Sequence, residues 1–170
     1  MNDLQERTLS VVRAKSIEQA ELGTVFLGPV RHLSIERVLT FSGGAFSRPN
    51  WPDRNLHTDL EKAQEAGLAG VIVSATQFEG HLIDLLIDLF GEKWFTAGVI
   101  ETRIPKSLML DDFLQTKAVL REVRDDIDGR TFALDVSCEN QRGEQVLVGT
   151  ASCRLPRPAS AQTSSPMKLP

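Results

Sequence analysis

Between residues 74 and 91, apolar side chains recur at helical spacing. Phe78, Leu82, Leu85, Leu86, Leu89 and Phe90 make one stripe, and Ile83 and Ile87 widen it. Most of the circumference is apolar, so the pattern predicts a helix over about 74–90 that is buried on nearly every side. Its polar exceptions align. Gln77, His81, Asp84 and Asp88 follow steps of four, three and four and form one narrow seam. Ser74 and Thr76 stand at the N-terminus of this helix. Unpaired N–H groups and the positive end of the helix dipole can hold an anion or a developing oxyanion there.

The flanking segments have other periods. Residues 22–32 are rich in β-branched side chains, with glycine and proline punctuation, and predict a kinked strand. Ser34 reads as the N-cap of a helix whose Ile35, Val38, Leu39 and Phe41 share one side, and Gly43 and Gly44 end it. Thr58 or Asp59 caps a second short helix that stops at Gly67. After Gly91 the period changes to that of strands. Residues 95–104, 113–123, 131–140 and 144–155 make four strand-like runs, with hairpin turns at Asp128-Gly129 and Arg142-Gly143. Helices followed by a meander of strands predict an α+β domain with an antiparallel sheet. A sheet wrapped around one long buried helix is the arrangement called a hot-dog fold. Residues 1–20 read as an extension, 21–156 as a single domain, and 157–170, poor in large apolar residues, as a disordered tail.

Composition narrows the function classes. The chain of 170 residues is 41% hydrophobic and 25% charged, which fits one soluble domain with a real core. A net charge of −4 disfavours a broad nucleic-acid surface. No apolar run reaches the roughly 18 residues of a membrane span, and the polar N-terminus lacks a signal-peptide core. Cys138 and Cys153 stand alone in strand-like runs, as reduced core thiols in a cytoplasmic protein would. His32, His57 and His81 fall on different elements without zinc-like spacing, so no metal is expected, and SGGAF is not the phosphate-binding G-x-x-x-x-G-K-[ST] motif, so no nucleotide cofactor is expected either.

One stretch carries candidate chemistry. Residues 43–59, GGAFSRPNWPDRNLHTD, have neither helical nor strand period. A structureless segment of this length in a compact domain is uncommon unless it binds something or is disordered. It holds His57, together with Asp53, Asn55, Trp51 and Phe46. Asn55-Leu56-His57-Thr58-Asp59 resembles an N-P-x-H-x-D motif without its proline. Ile72-Val73-Ser74-Ala75-Thr76 resembles I-A-H-G-M, and residues 107–112, SLMLDD, resemble P-V-x-x-G-D. Phe41-Ser42-Gly43 and Ala66-Gly67 match the ends of the two helices that accompany these motifs. In this order and spacing, residues 22–156 resemble the MaoC-like, (R)-specific enoyl-CoA hydratases and dehydratases, a hot-dog family.

The resemblance implies a hydro-lyase acting on an enoyl or 3-hydroxyacyl group carried by coenzyme A or an acyl carrier protein. It implies His57 as a proton-transfer group, with an Asp as its companion. The family's Asp lies five residues before the histidine, where this chain has Pro52. Asp53 lies four before it and is the nearest candidate, and Asn55 is placed to orient a water or the ring. The backbone N–H of Ala75, where the family has glycine, is implied as the oxyanion donor, flanked by Ser74 and Thr76. Trp51 and Phe46 either pack the loop down as a lid or line an acyl pocket, with Gln77 and His81 lining that pocket from the helix. Arg48 and Arg54 are candidates for the phosphates of the carrier, and Asp53 is alternatively a salt-bridge partner of Arg54. Edge-to-edge association into a homodimer or higher multiple is expected of such sheets. Two other readings stay open: a hot-dog thioesterase using Glu79, and a non-catalytic acyl-binding partner subunit in which the displaced Asp marks a lost dyad.

Overall fold

The computed structural model describes residues 17–156. The expectations for residues 1–16 and for the 157–170 tail lie outside the described residues. A turn of 3-10 helix at Ile17–Gln19 leads into β1 (Val25–Leu27) and β2 (Arg31–His32). Then come α1 (Ile35–Ser42), α2 (Leu60–Glu65), α3 (Ala75–Phe90) and α4 (Lys93–Ala97). The meander follows as β3 (Gly98–Arg103), β4 (Phe113–Asp126), β5 (Gly129–Asn140) and β6 (Gln145–Leu155). The predicted kinked strand at 22–32 is two short strands, and residues 95–97 of the first predicted strand belong instead to α4.

The strands form one antiparallel sheet in the order β1-β4-β5-β6-β3, with β2 also on β4. Alternation sets which face is buried. Leu114, Thr116, Ala118 and Leu120 of β4, and Phe132, Leu134, Val136 and Cys138 of β5, point to the core. Against them α3 buries Phe78, Leu82, Leu85, Leu86 and Phe90. The helix packs on β4, β5 and β6, so the sheet wraps it as a hot-dog fold requires. Both cysteines are free and buried in this core, and burial pushes the Cys138 thiol up to about 12.

Gly91 ends α3 with φ 59°, its N–H donating to the Ile87 carbonyl at 2.7 Å. The segment before β4 also turns through left-handed backbone, but with Asp111 (φ 65°) at the position where the P-V-x-x-G-D pattern has glycine. Asp112 beside it is buried. Its carboxylate accepts from the Met109 N–H (3.0 Å), from Gln141 Nε2 (2.6 Å) and from both terminal nitrogens of Arg142 (3.0 and 3.2 Å). Burial pushes this carboxyl up, but the Arg142 and Gln141 bonds outweigh it and hold it below the usual carboxylate range.

Candidate active site

The loop that carries His57 is organised by its own side chains. The Asn55 side chain makes an Asx turn: its Oδ1 accepts the His57 N–H at 2.8 Å, while its Nδ2 donates to the Ser42 carbonyl at 2.9 Å. Thr58 Oγ1 donates to the Asp53 carbonyl at 2.6 Å and accepts the Asn55 N–H at 3.0 Å. Asp59 is the residue that caps α2, accepting the Lys62 N–H at 3.1 Å. Arg54 bonds to Asp59 and Glu61, and the Arg54 bond, with the Lys62 N–H, lowers the Asp59 carboxyl to about 2. These bonds fix residues 53–59 between the end of α1 and the start of α2.

The His57 ring then meets a backbone acceptor. Its Nδ1 lies 2.9 Å from the Ile72 carbonyl oxygen. A carbonyl can only accept, so Nδ1 carries the proton in the neutral ring and Nε2 is left with its lone pair. Ile72 lies three residues before Ala75, so this bond ties the half-buried ring to the segment that feeds α3. At the first turn of α3, Gln77 N–H donates back to the Ser74 carbonyl at 3.0 Å. The N–H groups of Ala75 and Thr76 meet no acceptor among the described residues. Ser74 and Thr76 bond to each other through their hydroxyls at 2.9 Å, and neither side chain caps the helix.

Asp53 is not brought to His57 by any hydrogen bond or ion pair. Its carboxylate is held by Arg48 at 2.7 Å and lies over Gly44. Gly44 has φ +76°, and a Cβ there would collide with Asp53 Oδ2, so the approach needs glycine. Arg48 thus has a carboxylate partner inside its own loop, and Arg54, considered as the partner of Asp53, pairs elsewhere.

The apolar residues of the loop pack together. Phe46 and Trp51 have ring centroids 4.8 Å apart, with Phe46 largely exposed and the Trp51 indole N–H buried without a protein partner. Two further buried polar atoms of this kind lie on the α3 seam: Gln77 Oε1 and His81 Nε2. Gln77 Nε2 donates to the Arg37 carbonyl at 3.2 Å, which ties the seam to α1. Desolvation, aided by Arg31, lowers the His81 pKa below 6.5 and outweighs Asp84, whose carboxylate is 3.7 Å from Nδ1. Glu79 accepts from Thr102 Oγ1 at 2.6 Å and faces β3. Among the described residues, no group of three or more His, Cys, Asp or Glu side chains is placed to hold a metal ion.

The residues that sequence reasoning missed are the Ile72 carbonyl and the Arg48 side chain as partners within the site. A backbone acceptor leaves no residue-type signal. Arg48 was read as a candidate for the carrier's phosphates, not as the partner of the carboxylate five positions on.

No protein-family model matches the sequence, and no curated protein aligns with it. Solved structures do match. The chain is similar to a MaoC-like dehydratase from Rhodospirillum rubrum (TM-score 0.65, 20% identity, 85% of this chain and 99% of that one). It is similar to an (R)-hydratase from A. caviae involved in PHA biosynthesis (TM-score 0.61, 16% identity, 82% and 99%). A further match is the ChsH1–ChsH2 complex from Mycobacterium tuberculosis (TM-score 0.61, 14% identity, 81% and 99%). Over most of both chains, the architecture described above is the hot-dog fold of the MaoC-like dehydratases and (R)-hydratases.

Proposed function

We propose that the protein is a hydratase or dehydratase of MaoC type, acting on an enoyl or 3-hydroxyacyl thioester of coenzyme A or an acyl carrier protein. The observation that carries this reading is the bond from His57 Nδ1 to the Ile72 carbonyl. It leaves the lone pair on Nε2 and ties the ring to the segment that leads to two unengaged N–H groups, those of Ala75 and Thr76. Hydration of a conjugated thioester needs a proton carrier and hydrogen-bond donors for the oxyanion, and these groups are assigned those two roles.

In the hydration direction, Nε2 takes a proton from water while the water oxygen bonds to the β-carbon. The electron pair of the carbon–carbon double bond moves through the α-carbon to the thioester oxygen, to which the Ala75 and Thr76 N–H groups donate hydrogen bonds as it becomes an oxyanion. The imidazolium then returns its proton to the α-carbon. One histidine suffices for this exchange, because the proton removed from water is the proton the α-carbon needs. The reading therefore makes His57 the sole proton carrier. Asp53 stays with Arg48, and Asn55 holds the His57 backbone. Trp51, Phe46, Gln77 and His81 are assigned to the walls of the acyl pocket. No cofactor enters.

β3 is hydrogen-bonded to β6 along one edge and presents Val99 exposed, which supports edge-to-edge pairing into a homodimer. No described helix is long and apolar enough to cross a membrane. A cytoplasmic location belongs to the same proposal. The test is hydration of crotonyl-CoA, followed as loss of the conjugated thioester's ultraviolet absorbance. His57→Ala is expected to abolish it, and retained turnover would overturn the assignment. The Arg48–Asp53 pair favours one second reading, an acyl-thioester-binding subunit without turnover, which predicts ligand binding but no hydration by the wild-type chain.

A further inference from the structure

Ile72, whose carbonyl meets His57, sits in an isolated antiparallel bridge with Met109. Residues 71–73 pair antiparallel with 108–110: the Val73 N–H donates to the Leu108 carbonyl at 2.8 Å, and the Leu110 N–H donates to the Val71 carbonyl at 3.0 Å. Ile72 and Met109 are the bridged pair between these bonds. In such a pair the two residues' own N–H and C=O groups point away from each other's strand. Those of Ile72 point to the loop, where the N–H reaches the Leu56 carbonyl (3.5 Å) and the carbonyl receives His57 Nδ1. Those of Met109 point the opposite way, and both meet Asp112: the Met109 N–H donates to its carboxylate, and the Met109 carbonyl accepts its N–H at 3.1 Å. Asp112 is in turn gripped by Arg142 and Gln141 from the β5–β6 turn.

We propose that Asp112, clamped by Arg142, is a positioning residue for His57. The clamp fixes Met109, Met109 sets the register of residues 71–73, and that register sets where the Ile72 carbonyl meets the imidazole. The proposal rests on the acid–base reading of His57, but its first readout does not depend on activity. A bidentate guanidinium–carboxylate grip fixes geometry as well as charge, and lysine cannot reproduce its fork.

The test uses the full chain with 15N-labelled histidine at pH 8. In the wild type, the His57 ring is expected as a single neutral tautomer protonated at Nδ1. In Arg142→Ala and Asp112→Asn, it is expected as a mixture of tautomers. Crotonyl-CoA hydration is expected to lose at least tenfold in kcat with KM within twofold, and Arg142→Lys to recover only part of the loss. Far-UV circular dichroism identifies the variants that fold. If Asp112→Asn does not, Arg142→Ala, altered at a half-exposed turn side chain, carries the test. An unchanged tautomer in a folded Arg142→Ala chain overturns the proposal. A tautomer that shifts while hydration is unaffected supports the positioning and instead overturns the catalytic reading of His57.

Discussion

The Nδ1 of His57 and the carbonyl oxygen of Ile72, fifteen positions apart in the chain, are 2.9 Å from each other. On the proposed function, this bond separates what the histidine does for structure from what it does for chemistry. The amide nitrogen of asparagine can replace Nδ1 as a donor to the same carbonyl, but asparagine has no base in place of Nε2. His57→Asn is therefore expected to lose about 10²- to 10⁴-fold in kcat, the range for a removed acid–base group. Its melting temperature is expected to stay near that of the wild type, whereas His57→Ala loses both. Turnover retained in His57→Asn would assign the residue a purely structural role.

The Arg48–Asp53 pair tests whether a second proton-transfer group operates. Both side chains are substantially exposed, so the pair contributes only about 0–1 kcal/mol to stability. With His57 as the sole carrier, Asp53→Asn lowers kcat by less than about tenfold, well short of a lost acid–base group. A loss as large as that of His57→Asn would show that Asp53 leaves Arg48 during turnover and acts with the histidine.

How much of this was legible in the sequence differs by kind of signal. The α3 helix and the four strands of the meander announce themselves because burial imposes a period on side-chain type. The boundaries from residue 74 to 91 were read to within one position for that reason. His57 stood out because motif spacing is a residue-type signal. The acceptor of its Nδ1 did not, because every residue has a carbonyl and only the fold selects the one at Ile72. Asp53 was read as the nearest carboxylate in sequence, but proximity along a loop says nothing of where the side chain turns. In this structure that carboxylate lies over Gly44 and bonds to Arg48.

Asp111 occupies left-handed backbone, φ 65°, in the turn before β4. Aspartate tolerates this conformation better than most residues, alanine pays the full Cβ penalty of about 1–2 kcal/mol, and glycine pays none. Asp111→Ala is expected to destabilise the chain by about 1 kcal/mol more than Asp111→Gly does, measured by denaturant unfolding. Equal midpoints for the two variants would show that the turn relaxes to ordinary backbone.

His81 gives the fold a dependence on pH with a definite sign. Its ring is half-buried on α3 among Arg31, Arg37 and Asp84, and desolvation lowers its folded pKa below 6.5, with the two arginines adding to that shift and Asp84 opposing it. Below about pH 6.5 the unfolded chain therefore takes up a proton that the folded chain resists. Stability from the neutral ring is fully present above that pH and is lost as the pH falls toward the lower folded value. Asp59 and Glu144, held near pH 2 by Arg54 and by Asn140 and Lys106 respectively, titrate outside this window. His81→Gln keeps a polar side chain and removes the titration. Its melting temperature is expected to fall less than that of the wild type between pH 7.5 and 5.5. An equal fall in both proteins would assign the acid sensitivity to another group.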